Sequence, residues 1–166
     1  MMNSPLAFRV PFRKGILPFS LQSELEQRDR VIGEAKSWVE TPYRQQGAQK
    51  GVAIDCSMLL VRCFVDAGIL EEFDPRPYPP DWYLHKSEER YLHWMDTVGV
   101  ETDNPKPGDI ILFKFGRCFS HSGIISRPGY IIHAFAKLRV CVETELKFGI
   151  FHDRPIKYYT IWGRTE

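Results

Sequence analysis

From Ser23 onward the apolar residues Leu25, Val31, Ile32, Ala35, Trp38 and Val39 recur at intervals of about three and four, with charged positions between them. That period predicts an amphipathic helix. Ser23 is a suitable N-cap with Glu26 three residues on, and the helix must end by Thr41, because Pro42 disfavours helix in the residue before it. A loop follows through Tyr43, Gly47 and Gly51. A second helix is expected from Asp55 or Cys56 to Ala67, with Gly68 as its stop. Met58, Leu59, Leu60, Val61, Cys63, Phe64 and Val65 make it apolar nearly all round, the pattern of a buried helix. The proline-rich passage DPRPYPPDW leads to a third, amphipathic helix over about residues 83–97 and then to the loop TDNPKPGD. Beyond Gly108 the period shortens to the runs DIILFKF, HSGIIS, YIIHAFA, RVCVET and KYYTIWG. Turn residues at Gly116, Pro128-Gly129 and Gly149 separate several of these, which predicts a meandering antiparallel sheet. Helices first and strands later make an α+β fold. Residues 1–20, with Pro5, Pro11 and Pro18 and no sustained period, are expected to form an irregular arm before a single domain over residues 21–166.

Composition narrows the function classes. The 166 residues suffice for one domain with a core of its own. Lys and Arg number 22 against 21 acids, so no overall field draws the chain to nucleic acid or to an anionic membrane. No stretch approaches the roughly 18 apolar residues of a membrane span. The first residues lack the continuous apolar core of a secretory signal, so synthesis and initial residence in the cytoplasm are expected. Four cysteines, Cys56, Cys63, Cys118 and Cys141, are too few for a disulfide scaffold. No glycine-rich phosphate loop is present, and the glycines are spaced as turns.

The chemistry is concentrated at Cys56, in AIDCSMLL, and at two strand histidines, His121 in SHSGII and His133 in YIIHAF. A cysteine at a helix start meets unpaired N–H groups and the positive dipole end, which favour thiolate over thiol. A neighbouring imidazole would complete the activation of a nucleophile. Small neighbours, Ser120, Ser122 and Gly123, leave the His121 ring approachable. His133 shares a strand face with Ile131 and Phe135, so the residues alone favour a satisfied polar group of the core. Asp55 is either the cap of the second helix or a partner for a substrate ammonium group. Cys63, two turns deeper, reads as core. Trp82, Tyr83, Tyr91 and Trp94 also read mostly as core, with an edge that could line a cleft. Cys118 and His121 form a C-x-x-H that Cys141 and His133 could complete as a zinc site. The spacing lacks a second tight pair and would consume the histidines that serve the thiol, so neither a metal nor another cofactor is expected.

The pieces TPYRQQG, DCSMLLVRCF, KPGDIILFKF, HSGIIS and YIIHAF, in this order over about residues 25–162, resemble the papain-like NlpC-type family of bacterial cell-wall cysteine endopeptidases. The resemblance implies a papain-like fold, N-terminal helices packed on a C-terminal sheet, with Cys56 as nucleophile, His121 as base and His133 as the residue that orients it. It implies that Tyr43 and the Cys56 N–H face the developing oxyanion, and that Asp55, Ser57, Ser120 and Ser122 line the substrate site. The implied substrate is the peptide stem of peptidoglycan, cut between γ-D-glutamate and a diamino acid. The intervening YPPDWYLHKSEERYL is similar to the phage or prophage tail-associated branch of the family, which implies delivery by a tail, tail proteins as partners and a virion as final location. Met58 and Ser122 depart from the family pattern, which has glycine two residues after the cysteine and often an aliphatic residue after the histidine. A catalytically weak or inactive structural module of a tail, keeping the same fold, is the alternative. Acyl transfer or deamidation on a different substrate is a third possibility.

Overall fold

The computed structural model describes residues 23–78, 89–147 and 149–163. The expected N-terminal arm lies outside these, as does the first part of the expected third helix with Trp82, Tyr83 and His85. Helix α1 spans Glu24–Ser37, and Ser23 and Glu26 close a reciprocal capping box at its start. Val31, Ile32, Ala35 and Trp38 are buried, whereas Leu25 is 68% exposed, because it sits in the first turn before the helix reaches the core. Helix α2 spans Cys56–Asp66 with Asp55 as N-cap. Gly68 stops it with φ +70°, a conformation that disfavours a side chain. Helix α3 spans Arg90–Val98, and Tyr91, Met95 and Val98 form its buried side.

Two short strands, β1 (Ala48–Gln49) and β2 (Ala53–Ile54), make a hairpin just before α2. The main sheet contains β3 (Val100–Glu101), β4 (Ile110–Phe115), β5 (Cys118–Arg127), β6 (Tyr130–Phe135), β7 (Val140–Glu145) and β8 (Ile156–Thr160), in the order β3-β8-β4-β5-β6-β7. Strands β4 to β7 form the expected meander. The last strand departs from it: β8 returns to the free edge of β4, and β3 pairs outside it. The reason lies in β4, whose residues Ile110, Ile111, Leu112 and Phe113 are all buried. A strand apolar on both faces belongs inside a sheet with neighbours on both edges.

The sheet separates two apolar clusters. The larger, on the helix side, gathers Val31, Ala35, Leu59, Phe64, Met95, Ile110, Leu112, Ile124, Ile132 and Ala134. The smaller, on the other face, gathers Ile111, Phe113, Ile125, Ile131 and Phe151. Among the described residues no helix is long and apolar enough to cross a membrane.

One buried ion pair ties α1 to the sheet. Arg28 donates to Asp109 Oδ1 at 2.8 Å, to the Pro107 carbonyl at 2.9 Å and to Thr160 Oγ1 at 3.2 Å. Its guanidinium lies 4.1 Å from the Trp162 ring centre. Removing one partner of such a pair leaves a buried charge without compensation. Asp109→Ala should therefore lower the unfolding free energy by about 3 kcal/mol or more, read from urea denaturation. A loss within experimental error would show that Glu24, which accepts from Arg28 Nε at 2.7 Å, and water replace the carboxylate.

Candidate active site

The site forms where the start of α2 meets β5. The ladder between β5 and β6 runs from Arg127↔Tyr130 to Ile124↔Ile132 and ends there. Gly123 lies directly against β6: a Cβ on it would stand 3.1 Å from the Ile132 carbonyl oxygen and 3.2 Å from His133 Cβ. Helix α2 packs on both strands. Ser122 Oγ donates to the Cys56 carbonyl at 3.1 Å, and Cys56 Sγ lies 4.0 Å from the Ser120 carbonyl oxygen. The register between β4 and β5 shifts at Phe113/Lys114, opposite His121 and Phe119, so Ser120 occupies a bulge beside the thiol.

Asp55 organises the approach to the cysteine. Its carboxylate accepts from Met58 N at 2.8 Å, Gln46 N at 2.6 Å and the Tyr78 hydroxyl at 2.7 Å. At 2% exposure it is a cap fastened from three sides, as the capping role expected of it requires. Tyr43 donates its N–H to the Arg139 carbonyl at 2.9 Å and bridges to Ile54, two residues before Cys56. Its ring, half-buried, packs against the helix-side core.

His121 and His133 turn to the other face of the sheet. His121 Nε2 lies 2.9 Å from His133 Nδ1, and His133 Nε2 lies 3.0 Å from Thr144 Oγ1. Thr144 can accept from His133 Nε2–H, which leaves His133 Nδ1 to accept from His121 Nε2–H. In that tautomer His121 Nδ1 carries the lone pair a general base needs. The His121 ring stacks on Phe151 at 5.7 Å and meets Phe113 and Phe115 at 5.8 Å and Phe135 at 4.9 Å. Burial among these rings holds His121 well below the usual imidazole range, reinforced by His133. Burial lowers His133 to about 4. Both rings are therefore neutral near pH 7.

The thiol differs from the sequence expectation. The helix start should favour thiolate, but burial, followed by the Asp55 carboxylate, pushes Cys56 up to about 11. Its sulfur lies 3.3 Å from the Tyr91 hydroxyl, and among the described residues no hydrogen bond joins it to an imidazole. Cys56 and His121 thus flank β5, neutral and unengaged with each other. Ser57 Oγ bonds the Tyr91 hydroxyl at 2.6 Å, and Ser120 Oγ bonds the Phe115 carbonyl at 3.4 Å. Ser122 is fully buried and fastens α2 to β5. The sequence reading left Tyr91 in the core and did not single out Thr144, Tyr78 or Phe151. Tyr91 carried no local signal, since it lay inside the helix expected over about residues 83–97 and read as core. Thr144 carried none. Cys118 and Cys141 belong to the helix-side core, away from the two imidazoles, and among the described residues no three metal-ligating side chains cluster.

The NlpC/P60 family model matches residues 40–154. The chain belongs to the NlpC/P60 family. Gamma-DL-glutamyl hydrolase of Bacillus subtilis (strain 168) is 29% identical over 116 residues, 68% of this chain and 24% of that protein. The chain thus spans about a quarter of that relative's length. NlpC2 from Trichomonas vaginalis is similar in fold, with a TM-score of 0.59 at 16% identity, covering 85% of this chain and 49% of that one. The NlpC/p60 domain of the peptidoglycan hydrolase SagA gives 0.53 at 15% identity, covering 78% of this chain and 96% of that one. The NlpC/P60 papain-like fold is therefore the fold of this chain, and the family is one of cysteine peptidases and hydrolases.

A group whose folded pKa lies below its unfolded value binds its proton less readily in the fold. The stability it contributes is complete above the unfolded value, and it is lost as pH falls through the folded one. For His133 that window runs from 6.5 down to about 4. The loss across it should be on the order of 3 kcal/mol. Urea midpoints at pH 7 and pH 4.5 should therefore converge in His133→Asn relative to the parent chain. Equal pH slopes in the two proteins would show that His133 is not held neutral.

Proposed function

We propose that the protein is a cysteine peptidase that hydrolyses an amide bond in the peptide stem of peptidoglycan, between γ-D-glutamate and a diamino acid. The observation that carries this reading is the buried His121–His133 hydrogen bond, on the strand against which the Cys56 end of α2 is seated. The similarity to a gamma-DL-glutamyl hydrolase supports a γ-glutamyl bond as the target. Delivery by a phage or prophage tail, after synthesis in the cytoplasm, rests on the YPPDWYLHKSEERYL passage.

This mechanism requires the Cys56 thiol and His121 Nδ1, which stand on opposite faces of β5, to come within hydrogen-bond reach of each other. His121 Nδ1 takes the Cys56 proton as sulfur attacks the amide carbonyl, and the Cys56 N–H and Tyr43 receive the oxyanion. The imidazolium is stabilised through Nε2–H by His133, then gives its proton to the leaving amine as the C–N bond breaks. Water, deprotonated by His121, cleaves the thioester and frees the enzyme. The neutral resting pair means that His121 must act as a true base at the moment of attack, since no preformed ion pair supplies the thiolate.

One observation favours the other reading, a weak or inactive module of a tail assembly: the thiol is held near 11 and is not bonded to the imidazole. Mass analysis of purified peptidoglycan after incubation distinguishes them. The intact protein should release stem fragments with a new amine on the diamino acid. Cys56→Ala and His121→Ala should each lower turnover by about 10³-fold, with the double variant little worse. Unchanged peptidoglycan, or fragments that persist in Cys56→Ala, would support the second reading.

A further inference from the structure

The Tyr91 hydroxyl stands at the meeting point of three groups from two elements: Cys56 Sγ at 3.3 Å and Ser57 Oγ at 2.6 Å on α2, and Ser122 Oγ at 3.2 Å on β5. The tyrosine is 6% exposed, and its ring is part of the helix-side core. A buried tyrosine needs a partner for its hydroxyl, and Ser57 already provides one. The sulfur beside it is more than packing requires. We propose that Tyr91 is a further catalytic residue of this site, whose hydroxyl donates to the Cys56 sulfur when it becomes thiolate. The inference rests on the cysteine peptidase reading.

The protons in this cluster can be assigned. Ser122 donates to the Cys56 carbonyl, which can only accept. With sulfur in the thiol form, S–H points to the Ser120 carbonyl and the Tyr91 proton is taken by Ser57 Oγ. When His121 removes the thiol proton, sulfur becomes an acceptor only. The Tyr91 O–H then turns to sulfur, and the Ser57 hydroxyl turns its proton to the Tyr91 oxygen. No bond is broken in this exchange and no further proton leaves. A hydrogen bond made only to the charged form favours that form, so Tyr91 opposes the burial and the Asp55 carboxylate that hold the thiol neutral.

The test reads the thiolate directly. Cys56 is labelled with iodoacetamide at a fixed pH of about 8, far enough below the thiol pKa that rate follows the thiolate fraction, and the adduct is mapped by mass. Tyr91→Phe should slow labelling of Cys56 about tenfold, equivalent to a rise of about one unit in the thiol pKa. Replacing Tyr91 with 2,3-difluorotyrosine keeps the shape and strengthens the donor, so it should speed labelling. If the phenylalanine variant does not fold by near-ultraviolet circular dichroism, the fluorinated protein carries the test alone. Labelling of Tyr91→Phe as fast as the parent or faster, or no acceleration with difluorotyrosine, overturns the proposal. Failure of the peptidase reading looks different: peptidoglycan is left uncut by the parent protein while Cys56 labelling still responds to both changes at Tyr91.

Discussion

The Asp55 carboxylate is the joint on which the site is assembled. It accepts from the first turn of α2, from the loop that carries Tyr43 and Gln46, and from Tyr78. Three segments distant in sequence thereby share one anchor, and Cys56 follows it directly. An acidic N-cap suits a helix start, because its oxygens satisfy orphan N–H groups and its charge meets the positive dipole end. The same charge sits beside the thiol and opposes its ionisation. The cap that positions Cys56 therefore also opposes formation of its thiolate.

The two faces of the sheet divide the remaining work. On the helix side, hydroxyls from Ser57, Tyr91 and Ser122 surround the cysteine and join α2 to β5. On the other face, aromatic rings enclose an imidazole pair that ends on Thr144. Water is excluded from the pair, which keeps both rings neutral and fixes their order of donation. The break in pairing between β5 and β6 lies where these environments meet.

Much of this was legible in the sequence. Ser23 with Glu26, Asp55 with the apolar run after it, and Gly68 are local signals whose physics is complete within a few residues, and α1 and α2 begin and stop accordingly. The change to period-two runs beyond Gly108 marked the strands. The placement of β8 beside β4 was not legible in the same way, because strand order depends on which edges are left open after the other strands pair. The thiol's electrostatics were also misjudged from the chain. Helix start and acid are both visible in it, but their relative weight depends on burial, which only the packed structure supplies. Tyr91 and Thr144 enter the site through pairings 35 and 11 residues long, with no local pattern to mark them.

Gly123 lies two residues after His121, pressed against Ile132 and His133. Even a methyl group there would crowd the β6 backbone at 3.1 Å and His133 Cβ at 3.2 Å, forcing the strands apart by some tenths of an ångström. The imidazole contact spans 2.9 Å and tolerates little stretching before it ceases to transmit charge. The spacing of the two rings is thus gauged by an absent side chain. A residue without a side chain sets how closely the two imidazoles can approach.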